Sequence, residues 1–442
     1  MNDRNQLNNP GRVANPLLIW TVIICSGLGT RATCDEPKIA GTCGSEAGTM
    51  MVRTSADSKW HAVKAAERLP AGDLLVGFPG AAIDSENGAV HLTMLGDLDR
   101  NSPYPVIENA VVLHGGDGAD LSFTLDRGRV DLINRKTSRA AQVKVKVRDT
   151  SLELSLLEPG TRVALETYGR WPRGARFSKE PDPKNAPTTS LIILVLKGEA
   201  LLKHGGFEKT MRAPPGPAML EWDSVTGADE SPAHLDKLPT WAARHDDDSP
   251  ETKQKKEVIE EFRQAVLAKG HEAALEDFLA SDNKMHRALA VFVLGALDDL
   301  PRLGKALREA KHFDVWDNGV VALRHWIGRG PGQDQILYKG LIERVNFKPR
   351  QAEAVLQLLH SFGEEDLARP ETYQGLIDFM DHDLLAIRGL AYWHLYRLVP
   401  AGRELGYNPL GTKEERDEGT KKWRKLVPPG TVPSRTAGEP KN

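Results

Sequence analysis

The chain has 442 residues, 27% charged, 40% hydrophobic and 6% aromatic, with a formal net charge of −3 from 58 basic and 61 acidic side chains. That length fits two or three domains with substantial cores. The near-balanced charge excludes nucleic acid as the main partner, because phosphate binding needs a concentrated basic footprint. The 40 glycines and 28 prolines follow no period, which excludes a collagen-like chain.

Residues 1–15 are polar, with Arg4 and Arg12 against Asp3. An apolar run from Leu17 to Cys25 follows, then the small residues Ser26, Gly27 and Gly29, with Thr30 and Ala32 two apart. This order predicts a secretory signal peptide over residues 1–32. The apolar core falls short of the roughly 20 residues a spanning helix needs. The alternative is an uncleaved N-terminal anchor in the inner membrane, the one case in which a membrane enters. Neither Cys25 nor Cys34 follows the small residue a lipoprotein box requires, so lipidation is not expected. Export leaves Cys34 and Cys43 in an oxidising compartment, where they are a candidate disulfide or two incidental thiols in a flexible segment, 33–59.

Residues 60–225 read as strands and turns. Leu121–Leu125, Gln142–Val147, Leu152–Leu156 and Val163–Glu166 alternate apolar and polar residues, which puts one face inward. Turn signals separate them: Gly115-Gly116-Asp117-Gly118, Asp126-Arg127-Gly128, Pro159-Gly160 and Lys197-Gly198. The continuous run Leu191–Leu196 suits a strand buried on both faces. Trp171–Pro187 reads as a surface loop. Residues 226–250 are rich in acid, proline and serine and read as an interdomain linker.

From residue 251 to 427 the period becomes helical. Ser249-Pro250-Glu251 is a helix start, Val258, Phe262 and Val266 recur every fourth residue, and Gly270 ends the segment. Pro301, Pro349 and Pro370 open further helices in the same way. Laid against itself, this half repeats. Asp282, Arg287, Leu289, Ala290 and Leu294 match Asp383, Arg388, Leu390, Ala391 and Leu395 in type and spacing. Asp314, Gly319, Val321, Ala322 and Trp326 keep the register, and Asn346, Gln351, Glu353, Ala354 and Leu358 keep it more loosely. The leading Asp or Asn is expected to cap a helix, the Ala to allow close approach and the Leu to pack. Residues 428–442 read as a disordered tail.

Three resemblances follow. The helical pattern resembles HEAT-type repeats, whose hairpins stack into a solenoid. Asp126–Leu132 with Val143–Val147, then Glu158–Glu166, Val195–Leu202 and Arg212–Gly216, is similar to the FecR-like domain, a β-rich extracytoplasmic module of bacterial regulators. The resemblance implies an N-terminal all-β domain facing the envelope. The fifteen residues before the apolar run are too few for the sigma-factor-binding segment of those regulators. The ending, Asp383–Pro400 with Trp393-His394-Leu395 and then Trp423–Pro428, resembles the close of large exported planctomycete proteins. The fold class expected is α+β multidomain, an all-β domain followed by an α-helical solenoid.

No catalytic constellation stands out. Asp381-His382-Asp383 with His394 falls within the repeat register, where a helix cap explains it better than a metal site. His245-Asp246-Asp247-Asp248 lacks the spaced oxygens and glycine of a calcium loop. His114–Gly118 bridges two strands, whereas a phosphate cradle opens a helix. His325 beside Trp326 is assigned to a packed helix face, and Ser55 and Ser58 near His61 lack the glycines of a nucleophile elbow. Lys421, Lys422, Arg424 and Lys425 around Trp423 follow the acids Glu414, Glu415, Asp417 and Glu418, as in an exposed charged helix. No catalytic, cofactor or metal residue is assigned. The expected function is an exported, non-catalytic binding or scaffold protein, its β-domain facing an envelope component and its solenoid a protein partner. The alternatives are an exported hydrolase of glycans or peptides, or a regulator sensing an envelope signal.

Overall fold

Alternating side chains build two sheets, antiparallel but for one parallel pair, that share two long strands. One sheet runs through Arg68–Pro70, Ile39–Cys43, Ala82–Ser85, Val90–Leu95, the second half of Leu121–Asn134, Arg162–Arg170, the first half of Thr188–His204, and Ala218–Asp223. The other runs through Met50–Arg53, Leu74–Gly77, Asn109–His114, the first half of Leu121–Asn134, Ala141–Val147, Thr150–Leu156, the second half of Thr188–His204, and Phe207–Ala213. Leu121–Asn134 pairs with Ala141–Val147 in parallel and with Arg162–Arg170 antiparallel. Through these pairings five strands close a barrel. Phe123, Leu125, Val145, Leu154, Val163 and Ile193 are buried in its core.

The computed structural model describes residues 38–434 except 57, 99–105, 117, 183–184, 216–217, 229–231, 240, 243–248 and 310. The expected signal peptide, Cys34, the His245–Asp248 run and most of the tail lie outside the described residues. Among the described residues no helix is long and apolar enough to cross a membrane.

Several boundaries differ from expectation. Strands begin at Ile39, inside the segment read as flexible, and Cys43 is buried there. Asp126-Arg127-Gly128 and Lys197-Gly198 are bends within the two long strands and separate no strands. Gly128 (φ +96°) and Gly198 (φ +79°) let each strand turn from one sheet into the other without ending. The continuous run Leu191–Leu196 does pack on both faces. Leu191, Ile193 and Val195 enter the barrel core, while Leu194 meets Ala164, Trp241 and Ala242. Trp241 comes from the segment expected to be a linker, which also supplies the short strands Gly227–Ala228 and Ala233–His234.

The helices follow in order: α1 (Pro250–Lys269), α2 (His271–Ala280), α3 (Lys284–Ala296), α4 (Leu300–Ala306), α5 (Phe313–Gly328) and α6 (Gln333–Glu343). Then come α7 (Pro349–Leu359), α8 (Glu364–Leu367), α9 (Pro370–Met380), α10 (Leu385–Leu398), a 3-10 turn (Pro400–Leu405) and α11 (Lys413–Leu426). Ser249 caps α1, its side chain accepting from the Thr252 N–H, an interaction that stabilises by about 1 kcal/mol. The repeat register falls on α3, α5, α7 and α10, which pack against one another in that order. Ala290, Ala322 and Ala391 are buried at one repeated position, and Leu294, Trp326, Leu358 and Leu395 at another.

The leading acids do not cap these helices. The caps are Asn283, His312, Lys348 and Leu384. Asp314 instead sits in the first turn of α5, where the helix dipole also favours an acid, and receives Arg287 of α3 through two bonds of 3.0 and 2.8 Å. The repeated arginine has its own local task. Arg287 donates to Ser281 O and Arg388 to Asp383 O, each tying the turn before its own helix.

Helices and sheets share one hydrophobic core. Met51, Val76, Phe78, Val106 and Ile107 from the β region pack in the same cluster as Phe262, Leu289, Trp316 and Tyr373. The segment expected as a surface loop is largely exposed where described, and two of its aromatics anchor it on the helices: Trp171 Nε1 donates to Ile327 O at 3.0 Å, and Phe177 meets Tyr338 at 5.3 Å between ring centroids. Gly169 and Gly328 face each other so closely that a Cβ on Gly169 would lie 2.1 Å from Gly328 O.

Candidate functional site

The β and helical regions meet over a buried group of charges. Glu108 precedes the strand Asn109–His114, Arg127 sits at the bend of the first long strand, Arg329 follows the end of α5, and Asp298 occupies the turn between α3 and α4. Arg329 donates to Glu108 Oε1 at 3.0 Å, to Asp298 Oδ1 at 2.9 Å and to Gly295 O at 3.0 Å. Arg53 reaches Asp298 Oδ2 at 2.9 Å, and Arg127 donates to Ala296 O and to Asp126 Oδ2. Trp60 and Trp326 add indole donors to Leu297 O and Asp298 Oδ1. Glu108 is 2% exposed at its side chain, Arg127 5% and Arg329 6%.

Burial and neighbouring charge set the protonation here. Burial alone pushes Asp298 up, but Arg127 and Arg329 outweigh it and hold the carboxyl below its usual value. Asp126 is lowered in the same way, burial being overcome by Arg127, Arg148 and Arg329. Arg329 is lowered to about 10 by burial and by Arg127. His325 lies with Nε2 3.6 Å from Glu108 Oε1; burial, then Arg329 and Arg127, holds it well below its usual value, so it is neutral. The expected packed position of His325 is thus a polar one. Such a group has one plain chemical consequence. It clamps two regions together.

The surface offers a different feature. A groove of about 380 Å³ opens between α1, α3 and α5 and the β residues Leu98 and Ile107. Val258, Leu289, Phe292 and Met285 give it an apolar lining, and Lys255, Glu251 and Asp314 mark its rim. Of the acids that line it, Glu251 pairs with Lys255 at 2.8 Å and Asp314 with Arg287, while Asp97 is buried. Nothing in the sequence alone marked this groove, because its walls come from segments far apart along the chain.

The histidines singled out by sequence are dispersed. His382 Nδ1 accepts from Leu384 N at 2.9 Å, Asp381 pairs with Lys413, and His394 is buried against Leu358 O, so these do not converge. His114 Nε2 is 2.7 Å from Thr124 Oγ1 across the strands that its glycine turn connects. Ser58 Oγ donates to Ser55 O at 2.8 Å, and His61 lies on a short strand paired with Met50–Arg53. Cys43 is a buried thiol whose Sγ lies 3.5 Å from Ser45 O. Among the described residues no group of three or more His, Cys, Asp or Glu is placed to hold a metal ion. A buried pair was missed altogether: His360 Nε2 and Asp334 Oδ2, 3.6 Å apart under the Trp171 ring. Compared with protein-family models, curated proteins and solved structures, the chain finds no match.

Proposed function

We propose that this protein is an exported, non-catalytic binding or scaffold protein, its β region FecR-like and facing an envelope component, its helices a HEAT-like stack facing a protein partner. One observation carries this reading. The charges around Glu108 are spent on contacts between the sheets and the helices, while the groove is largely apolar, with Glu251 and Asp314 at its rim paired to cations. Acid–base hydrolysis needs a carboxylate that is free to exchange a proton with a bound substrate. Apolar lining with a polar rim is the ordinary make-up of a protein-binding surface.

The test is capture from envelope extracts with the whole chain, since the helical half shares its core with the sheets. A specific protein retained by the wild type and lost with Met285→Glu, which puts a charge into the groove, is the expected result. Recovery of no specific protein overturns the binding reading. Turnover of a glycan or peptide substrate by the purified chain overturns the non-catalytic one.

A further inference from the structure

An arginine–aromatic face lies on α10 and the turn that follows it. Arg397 sits over Trp393 with its guanidinium carbon 3.6 Å from the ring centroid, and Arg324 of α5 lies over the same indole at 5.0 Å. Arg403 lies over Tyr396 at 5.1 Å, and Tyr396 meets Tyr392 edge-on at 5.8 Å. Tyr396 is 41% exposed, and Arg397 and Arg403 are exposed as well. Each exposed guanidinium bonds inward, Arg397 Nη1 to Trp393 O at 3.2 Å and Arg403 Nε to Tyr396 O at 2.9 Å.

Stacking and these bonds hold the guanidinium planes in place before any partner arrives. An Arg fork fixed in this way loses less entropy on pairing with a carboxylate than a free one does. The acids that bear on the patch are Asp317, which attracts Arg397, and Glu404, next to Arg403 in sequence. Three guanidiniums outnumber two acids, so the face is positive. Trp, Tyr and Arg are also the residues that dominate protein-interface energetics.

We propose that this face docks an acidic segment of a protein partner, its carboxylates taken by the forks of Arg397 and Arg403 beside the Tyr396 ring. The inference rests on the reading of the helices as a protein-binding surface and gives that partner a chemistry. An acidic glycan fits less well. Sugar rings bind by lying on open aromatic faces, and Trp393 already carries two guanidiniums.

The probe is a labelled synthetic peptide alternating Glu with Leu and Tyr, titrated by fluorescence anisotropy against the full chain. Its counterpart carries Gln for every Glu. The Glu peptide is expected to bind on the order of tenfold or more tightly than the Gln peptide, and less tightly as salt rises. Arg397→Gln with Arg403→Gln should remove that difference, while Arg397→Lys with Arg403→Lys, which keeps charge without the fork, should restore part of it. Unchanged circular dichroism and melting temperature show that the variants are folded. Equal binding of both peptides, binding indifferent to the Gln variant, or binding of an oligogalacturonate with the Glu peptide silent would each overturn the proposal. Envelope capture separates the two readings. A partner held equally by the wild type and the Gln variant defeats this face alone, whereas no partner with either defeats the protein-binding reading beneath it.

Discussion

His394 shows how depth in the fold settles what a side chain can do. Its Nε2–H donates to Leu358 O at 2.6 Å, and Phe362 meets the ring edge-on at 4.9 Å. Burial, then the nearby Arg324, lowers its pKa from 6.5 to about 3. A folded pKa below the unfolded one means stability that is full above about pH 6.5 and declines as pH falls toward 3. His325 is lowered too and acts in the same direction. Asp298 and Asp126 are lowered below 3.8, so their contribution is lost only in stronger acid. Glu166 is raised above 4.5 by burial, so its effect has the opposite sign: it favours the fold in acid and loses that effect as pH rises through its folded pKa. Urea unfolding should therefore show a weaker fold at pH 5 than at pH 7, with about 2 kcal/mol of the difference from His394. His394→Gln keeps a donor for Leu358 O but does not titrate, and should flatten the profile by about that amount; an unchanged slope defeats the assignment. The repeat register placed His394 on a helix, one residue before the buried Leu395. The carbonyl that it satisfies belongs to another helix 36 residues away, and no local pattern announces it.

At the scale of elements, the repeated arginine is the piece whose role the fold redefines. Arg287 ties the turn before α3 through Ser281 O and grips Asp314 of α5 by two parallel bonds. Its side chain is 7% exposed, so its removal strands a paired acid and a turn carbonyl together. Arg287→Ala should cost about 1.5–3 kcal/mol, read from the denaturant midpoint, with Arg287→Lys recovering only part because it lacks the fork. A loss within experimental scatter would mean that the α3–α5 contact rests on its apolar residues alone. Helix starts were readable where proline marked them: Pro250, Pro349 and Pro370 each open a helix. The cap at Ser249 was readable too, but those of the repeat were not, since an Asp is favourable both at a helix N-cap and in its first turn, and spacing cannot separate the two. The strands show the same limit. Alternation located their faces, but Gly128 and Gly198 resemble turn residues in sequence whether a strand ends there or merely bends.

For the whole molecule, strands give way to helices between His234 and Pro250, but the two halves share a core. Period and turn chemistry are local properties, so the α+β content was accessible from them. The shared core was not, because Ile107 and Phe292, on the same groove, come from segments with different periodicities. Two features join the halves mechanically: the backbone contact of Gly169 with Gly328, and the charges around Glu108. Each couples a strand or its lead-in directly to the end of α5. If that coupling governs stability, the sheets and helices unfold as one unit. Helical circular dichroism and hydrogen exchange in Arg162–Arg170 should then report the same transition. Glu108→Ala leaves Arg329 and Arg127 without their shared acid and should cost about 3–5 kcal/mol, shifting both signals together. An isolated 250–430 segment should fail to hold its native helices, because Met51, Phe78 and Val106 are missing from its core. Helices that melt separately from an intact sheet, or a segment that folds alone to the same stability, would show that the junction is a contact between independent domains. The whole chain would then cease to be the smallest unit in which a binding surface can be tested.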